Sequence, residues 1–279
     1  MPGSDLNEIA PRPADPGQVS LPGAAYLQSP LLARAGFRHA FFTRVGGASE
    51  GPFESLSFST AVGDQPAAVD ENLRRAGALL GVDAERILFL SQVHGREALF
   101  YDAPATRAQT ITLEGDALGG SDVQSAYGVR SADCVPVLIA DEQSGAVMAV
   151  HAGWRGVARR VVEAGVSRLL ERSGGSEPSR LLAAIGPHIS LPAFEVSDDV
   201  AAELAASCPA PGAVYRQGFA KPHVDLRYIV TQQLFALGLT EASVDHVNGC
   251  TVLDPARFFS FRRDGKRSGR HLSAIVPRR

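Results

Sequence analysis

Two unbroken apolar runs occupy the centre of the chain. They are VPVLIA at 135–140 and AVMAV at 146–150, and a short polar turn at 141–145 separates them. Continuous apolar runs of this length are typical of strands that are buried on both faces. We therefore predict two adjacent core strands in this region.

Further apolar segments alternate between two spacings along the chain. Apolar residues recur every three or four positions in predicted helices, and short apolar or aromatic runs between glycines and turn residues predict strands. The predicted helices are 66–80, 157–170, 198–206 after Ser197, and a segment that Asp225 caps and that ends at 237; the predicted strands are 37–43, 87–93, 98–101, 181–185, 243–247 and 271–276. A basic loop is predicted from 262 to 270.

This alternation of strands and helices predicts an α/β (α+β) fold. We expect a single domain over 23–279, with mixed β-sheets flanked by helices, because no internal repeat and no long linker interrupts the pattern. Residues 1–22 are rich in proline and polar residues, and they are predicted to form a disordered N-terminal tail.

The composition narrows the class of protein. The 279 residues are 45% hydrophobic and 20% charged, with 27 Lys+Arg against 30 Asp+Glu. No global positive charge predicts nucleic-acid or membrane-surface binding, and no apolar run has the length of a membrane span. The three cysteines form no Cys-x-x-Cys pair, which favours a reducing cytoplasm over a disulfide-stabilised secreted protein.

Three residues at predicted strand ends carry the strongest chemical signal. His94 (SQVHG) and His151 (AVHAG) each lie where an apolar strand meets a glycine, and Cys134 directly precedes a buried strand. A thiolate with two imidazoles is a zinc ligand set that leaves a fourth position for substrate. The three residues lie far apart in the chain, which is more typical of a catalytic than of a structural zinc site.

Other interpretations of the same residues stay open at this point. Cys134 could be a nucleophile with His151 or His94 as its base, and with Asp133 or another acid orienting the imidazole. All three could also be ordinary core or turn residues. A multicopper oxidase is disfavoured, because the chain has seven histidines and no His-x-His pair, although one copper ion could use the same three ligands.

Six motifs, in order along the chain, resemble one known family. They are FRHAFFTRVGG (37–47), SQVHG (91–95), SADCVPVLIAD (131–141), AVHAGWRG (149–156), IGPHI (185–189) and FFSFRRDGKRSGR (258–270). This set is similar to the polyphenol oxidase or laccase-domain family, now described as a family of zinc-dependent purine nucleoside phosphorylases. The resemblance extends from about residue 37 to 276.

The resemblance implies a fold, a cofactor and a reaction. It implies the laccase-domain fold, which is similar to that of cytotoxic necrotising factor, and Zn²⁺ (or Cu²⁺) bound by His94, Cys134 and His151, which are also the catalytic residues. The implied reaction is phosphorolysis of adenosine, inosine and methylthioadenosine, with adenosine deamination as a second activity. Older descriptions of the family give copper-dependent phenol oxidation, and some members are linked to peptidoglycan editing.

Phosphorolysis requires cationic side chains near the metal, and the sequence offers several arginines. Arg44 follows the first strand, and Arg262 and Arg263 lie in the FFSFRR run, where aromatic packing could hold a guanidinium in place. A solvent-exposed basic loop is the alternative interpretation. Arg155 is a further phosphate candidate, and its neighbour Trp154 could stack on a purine or fill the core.

Two other positions are candidate substrate contacts. His188 follows Gly186-Pro187 and could touch substrate or could be a surface turn histidine. Ser57 stands where the family commonly has asparagine, a departure that puts substrate preference in doubt if that amide contacts the ligand.

These observations define the expected partners and the competing functions. We expect a cytoplasmic monomer or weak homo-oligomer that binds purine nucleoside and phosphate, with no nucleic acid and no membrane. One competing hypothesis is a cysteine-dependent hydrolase or amidase that edits peptidoglycan precursors. Another is a metal- or nucleoside-binding protein without turnover.

Overall fold

The computed structural model describes residues 25–175 and 177–279. The predicted disordered tail at 1–22 lies outside the described residues. Within the described part, no helix combines the length and apolar character that crossing a bilayer requires.

Thirteen strands form the framework of the described residues. Their bounds are β1 Tyr26–Leu27, β2 His39–Phe42, β3 Ile87–Leu88, β4 Ala98–Tyr101, β5 Ala117–Gly120, β6 Ala126–Ser131, β7 Val135–Asp141, β8 Val147–Ala152, β9 Leu181–Ile185, β10 Val214–Tyr215, β11 His223–Val224, β12 Val244–His246 and β13 His271–Ile275.

Eight α-helices accompany these strands in the same described part. They are α1 Pro30–Arg34, α2 Pro66–Leu80, α3 Arg107–Thr110, α4 Trp154–Ala158, α5 Val161–Arg172, α6 Asp198–Ser207, α7 Leu226–Ala236 and α8 Phe261–Asp264. Short 3₁₀ turns link several of them, including Gly265–Arg267 directly after α8.

Two mixed sheets stack on one another. The five-stranded sheet has the order β1-β2-β13-β6-β3 and the six-stranded sheet has the order β12-β9-β7-β8-β5-β4. In each sheet most neighbours are antiparallel, while β3 with β6, β4 with β5 and β12 with β9 are parallel. The predicted single α/β domain with mixed sheets is confirmed.

The side chains of β7 show how the layers pack. Val137 and Ile139 face a core shared with α5 and α7, whereas Leu138 and Ala140 face the other sheet, where Phe41 lies. Successive strand residues point to opposite faces, so an entirely apolar strand is required between two cores. A third core joins α2 to the outer face of the five-stranded sheet.

Many predicted elements are confirmed. The helix at 66–80 and the strands at 98–101 and 181–185 have the predicted bounds, and the two central runs form the antiparallel pair β7–β8. Gly81 ends α2 in the left-handed conformation, with φ of 67°, which glycine adopts without strain. Strand β8 continues through His151 and Ala152, so His151 belongs to the strand and not to the turn after it.

Three predictions are wrong in detail. The helix expected at 157–170 is two helices, α4 and α5, because Arg160 between them has φ of 61°. The predicted basic loop at 262–270 begins with α8 and a 3₁₀ turn. The strand expected at 87–93 covers only β3, after which the chain turns through Val93 and His94.

The sequence pattern also missed β5 and β6. Strand β5 reads ALGG, which resembles a turn, yet its small residues are required by close packing. A Cβ atom on Gly120 would lie 2.2 Å from the ring of Tyr127, and one on Gly119 would lie 2.3 Å from the backbone oxygen of Val147. Glycine therefore marks close packing here and not a turn.

Candidate metal centre

His94, Cys134 and His151 meet at one end of the six-stranded sheet. Cys134 directly precedes β7 and His151 lies near the end of β8, and the antiparallel pairing of these strands places Pro136 opposite His151. His94 comes from the turn after β3. The donor atoms of the three residues lie within 4.8 Å of one another, and Cys134 Sγ is 3.8 Å from His94 Nε2.

Asp116, which the sequence analysis did not select, organises this cluster. Its carboxylate is 2.8 Å from Nδ1 of His151, and it accepts hydrogen bonds from the backbone N–H groups of His94 at 3.0 Å and Gly95 at 2.6 Å. The residue is 1% exposed. Because a carboxylate only accepts, Nδ1 of His151 carries a proton and Nε2 is left to bind a metal ion.

The charges of the cluster reinforce one another. Burial alone would raise the pKa of the Cys134 thiol, but the charge and hydrogen bonding of His151 and His94 outweigh it and lower that pKa. Burial would lower the pKa of His151, but the Cys134 charge and the Asp116 hydrogen bond raise it. Burial would also raise the pKa of Asp116, yet its hydrogen bond with His151 leaves it lowered. The cluster therefore favours a thiolate, which is the form that binds metal or acts as a nucleophile.

The backbone around the cluster is strained. Among the described residues, only three that are not glycine have positive φ, and two of them are His94 (57°) and Asp133 (99°) beside Cys134. Such conformations cost free energy and persist where the surroundings hold them. Asp133 is held by the hydroxyl of Thr251 at 2.6 Å and the backbone N–H of Arg262 at 2.6 Å. The acid that orients His151 is therefore Asp116 and not Asp133.

Gly153, in the HAGWRG motif, packs directly on two of the ligands. A Cβ atom at this position would lie 2.7 Å from Cδ2 of His94 and 2.9 Å from Sγ of Cys134. Any side chain would displace at least one of them. The glycine is a requirement of the site that its place in the motif could have signalled.

The donor set fits a zinc ion. One thiolate and two imidazoles, one of them oriented by a carboxylate, form the ligand arrangement of catalytic zinc, and a single copper ion could use the same donors. Within residues 25–175 and 177–279, this is the one group of three or more His, Cys, Asp or Glu side chains spaced to hold a metal ion. A centre with several copper ions has no second ligand group in that part of the chain.

Arg270, which no sequence pattern indicated, is a cation close enough to the cluster for its charge to interact with Cys134 and Asp133. Burial lowers its pKa, and the negative charges of Cys134 and Asp133 oppose this shift. One nitrogen, Nη1, donates to the backbone oxygens of Ser268 and Gly269, and the guanidinium lies 5.7 Å from the centre of the Phe261 ring.

Arg130 lies beside Arg270. Its strand β6 pairs with β13, so that Arg130 is opposite Leu272, two residues after Arg270. Burial and then the charges of Arg270 and Arg107 lower the pKa of Arg130 to about 10. Within the described chain neither Arg130 nor Arg270 forms an ion pair with a carboxylate. Two neighbouring, partly buried guanidinium groups that form no ion pair with a carboxylate are suited to bind an anion.

The arginines that the sequence favoured have other contacts. Arg263 uses all five of its guanidinium N–H groups, on Asp264 and on the backbone oxygens of Thr251, Val252 and Phe258, which leaves none for phosphate. Arg44 donates to the backbone oxygens of 54 and 255. Both arginines therefore connect neighbouring loops through hydrogen bonds to backbone oxygens.

Two more predicted arginines lie on the surface. The backbone of Arg262 bonds Asp133, but its guanidinium donates to the backbone oxygen of Glu195 at 2.9 Å. Arg155 is exposed and its guanidinium lies 4.4 Å from the centre of the Trp154 ring, while Trp154 packs against the helical core.

The last two predicted contacts are buried. Ser57 is fully buried, and its hydroxyl accepts a hydrogen bond from the backbone N–H of Arg270 at 3.4 Å, which helps to fix the backbone of Arg270. His188 lines a separate cavity, described below, whose lining includes none of the three metal ligands.

Comparison with known proteins agrees with these observations. A family model described as multi-copper polyphenol oxidoreductase laccase matches residues 38–278. A purine nucleoside phosphorylase of Deinococcus radiodurans is 35% identical over 262 residues, covering 94% of this chain and 96% of the relative. A purine nucleoside phosphorylase of Streptomyces coelicolor is 38% identical over 229 residues, covering 82% and 91%.

Solved structures show the same fold. The crystal structure of YlmD from Geobacillus stearothermophilus has a TM-score of 0.82 at 29% identity, covering 93% of this chain and 98% of that chain. A Neisseria meningitidis protein has a TM-score of 0.78 at 32% identity, covering 91% and 99%. The resemblance inferred from the six motifs is thus confirmed, and the chain belongs to the multi-copper polyphenol oxidoreductase laccase family.

Proposed function

We propose that this protein is a zinc-dependent purine nucleoside phosphorylase that acts on adenosine, inosine and methylthioadenosine. The observation that carries the proposal is the pair of unpaired guanidinium groups, Arg270 and Arg130, beside a Cys–His ligand cluster. Relatives at 35% and 38% identity that are named purine nucleoside phosphorylase support it.

Phosphorolysis moves a ribosyl group from a base to phosphate. A phosphate oxygen forms a bond to C1′ of the ribose while the bond from C1′ to N9 of the purine breaks, and the departing base takes up a proton. The reaction needs a site that holds an anion against a neutral nucleoside and neutralises its charge.

Each residue of the site has a defined task in this scheme. Arg270 and Arg130 bind phosphate through the N–H groups that their backbone contacts leave free. His94, Cys134 and His151 would hold Zn²⁺, with Asp116 orienting His151, and the ion when bound would supply Lewis-acid stabilisation of charge on a substrate oxygen. Gly153 and the strained turns at His94 and Asp133 keep the ligands in place.

The test is chromatography of inosine incubated with the purified protein, with and without phosphate. We expect phosphate-dependent release of hypoxanthine, and a rise of about 10-fold or more in KM for phosphate in Arg270→Met, since a charged hydrogen bond contributes about 1.5–3 kcal/mol. Arg74→Met, on the exposed face of α2 beside Glu71, is the matched control. Release without phosphate, or unchanged phosphate dependence in Arg270→Met, would contradict the proposal.

Adenosine deamination is the second activity that we propose for the same centre. It replaces the 6-amino group with an oxygen from water and releases ammonia. The same chromatographic assay, run with adenosine in place of inosine, reports it as inosine formed from adenosine. Deamination should not need phosphate and should be lost with phosphorolysis in Cys134→Ala.

A cysteine-dependent hydrolase or amidase is a second candidate, which the order of three neighbouring side chains supports. Cys134, His151 and Asp116 follow the order of nucleophile, base and orienting acid. The two functions differ in what inactivates them. A zinc enzyme loses activity on chelation and regains it with Zn²⁺, whereas a thiol hydrolase withstands chelation and is inactivated by alkylation.

A further inference from the structure

A polar cavity lies at the same end of the six-stranded sheet as the candidate metal centre. It has a volume of about 380 Å³ and lies between the segments that follow β9 and β12 and the start of α7. Because β9 is antiparallel to β7 and parallel to β12, these segments emerge at the same sheet end as Cys134. A cavity of this size can hold a small organic molecule.

His188 presents an unused acceptor in this cavity. The residue is 6% exposed, and its Nδ1 lies 2.7 Å from the backbone oxygen of Gly186. A carbonyl oxygen only accepts, so Nδ1 carries the proton and Nε2 has no partner among the described residues. Burial lowers the pKa of His188 to about 4, which keeps the ring neutral and Nε2 an acceptor at neutral pH.

The other polar groups of the cavity include both donors and acceptors. One carboxylate oxygen of Asp225 accepts from the backbone N–H of Tyr228, which leaves the other for a ligand. Arg227 donates from Nη1 to the side-chain oxygen of Asn248 at 3.0 Å, which leaves the amide N–H groups of Asn248 and other guanidinium N–H groups of Arg227 available. Leu191 and other apolar side chains complete the wall.

We propose that this cavity is a binding site for a nucleobase, separate from the three metal ligands. A neutral planar ring with N–H donors on one edge and carbonyl or ring-nitrogen acceptors on another matches the acceptors His188 and Asp225 and the donors Asn248 and Arg227. The choice of a nucleobase among such rings rests on the proposed function, whereas the existence of the site rests on the cavity alone.

Hydrogen bonds to Asp133 connect the segments that line the cavity with the segment that carries Cys134. The backbone N–H of Ile189, next to His188, donates to the backbone oxygen of Asp133 at 3.0 Å. Thr251, next to the cavity residue Cys250, donates to the Asp133 carboxylate. Two cavity residues, His188 and Cys250, are therefore each adjacent in the chain to a residue that holds Asp133, the neighbour of Cys134.

Calorimetric titration of the zinc-loaded protein with hypoxanthine tests the site. We expect Asn248→Ala and Arg227→Met to weaken hypoxanthine binding by about 3- to 10-fold each, as expected for the loss of one hydrogen bond. Cys134→Ala, which removes a metal ligand, should change the affinity by less than 2-fold. Both cavity variants alter partly or fully exposed side chains, and an unchanged circular dichroism spectrum with unchanged zinc content would show that they fold.

The outcomes separate this site from the proposed enzyme activity. Hypoxanthine binding that is lost in Cys134→Ala and unchanged in the two cavity variants would overturn the proposal, as would the absence of binding to the wild type. Binding that depends on Asn248 and Arg227 in a protein without phosphorolysis would support the cavity and refute the enzyme. Phosphorolysis by a protein whose hypoxanthine binding is unchanged in both cavity variants would support the enzyme and refute the cavity site.

Discussion

His151 and His39 are both buried histidines next to an aspartate, yet they lie in regions with different tasks. At the metal centre, Nδ1 of His151 is bound to Asp116 and Nε2 faces Cys134 and His94. At His39, in β2, both ring nitrogens have backbone partners, since Nδ1 lies 2.8 Å from the oxygen of Phe37 and Nε2 accepts from the N–H of Ser29 at 2.8 Å.

The pKa values of the two histidines also shift in opposite directions. Burial would lower the pKa of His151, but Cys134 and Asp116 raise it, whereas burial prevails at His39 and its pKa is lowered. Asp245 beside His39 binds the Ser29 hydroxyl at 2.5 Å and not the imidazole. Burial and a nearby acid therefore do not identify a functional histidine. What distinguishes His151 is that its second ring nitrogen faces the Cys134 thiol and not a backbone group.

The largest expected effect comes from substituting each histidine in the same way. His151→Gln should reduce zinc retention and turnover by more than 100-fold, because a ligand is lost. His39→Gln should keep one zinc ion per chain and near-normal turnover in folded protein. Zinc content after gel filtration and phosphorolysis rates measure both, and equal zinc loss in the two variants would refute the contrast.

A smaller effect is expected from the two acids. Asp116→Asn keeps the side-chain shape but removes the charge that orients and polarises His151, so zinc affinity should fall by about 10- to 100-fold. Asp245→Asn is the control beside His39 and should leave zinc affinity unchanged. Competition with a chromogenic chelator gives both affinities, and an unaltered value for Asp116→Asn would remove Asp116 from the site.

Substitution of His39 should instead reduce the stability of the protein. A glutamine at position 39 can bond Ser29 or Phe37 but cannot satisfy both in the geometry of an imidazole ring. His39→Gln should therefore lower the free energy of unfolding by about 1–3 kcal/mol, the cost of one unsatisfied buried polar group. Urea denaturation of the zinc-free protein measures it, and a loss below about 0.5 kcal/mol would mean that the cavity relaxes around the new side chain.

The last expected effect is a change of stability with pH at a third buried histidine, His271. Burial lowers the pKa of His271 to about 3, and the backbone N–H of Phe259 donates to its Nε2. Between pH 6.5 and 3 the unfolded chain takes up a proton that the folded protein does not, so stability falls as the pH falls through this window. From pH 7 to 5, wild type should lose about 2 kcal/mol more than His271→Gln. Urea denaturation at both pH values checks this, and parallel losses would contradict the lowered pKa.

The elements that the sequence predicted well have one feature in common. The helix α2 and the strands β7 and β8 carry strong apolar periodicity, and such patterns depend only on which face is buried. The break between α4 and α5 has no such signal, because Val157 and Val161 both remain buried on either side of Arg160. The strand β5 was missed because Gly119 and Gly120 accommodate neighbours that the sequence does not reveal.

The candidate site divides in the same way. His94, Cys134 and His151 could be selected because each lies at the end of a recognisable strand. Asp116 could not be selected, because a single acid before a glycine-rich strand matches no sequence motif. Its role arises because β5, which follows it, pairs with β8, which carries His151. The sequence could not rank the arginines, because a basic run does not show which guanidinium groups are already bonded, as all five N–H groups of Arg263 are.

By itself, the sequence determined the α/β class, the central strands, the candidate metal-ligand residues and, through its motifs, the family. Those properties follow from local periodicity and from residue chemistry, which the linear order carries directly. Only the tertiary structure decided which acid orients His151, which arginines remain free for an anion, and that His188 belongs to a separate cavity. Each of these depends on hydrogen-bond partners far apart in the chain, and the packing of the two sheets selects those partners.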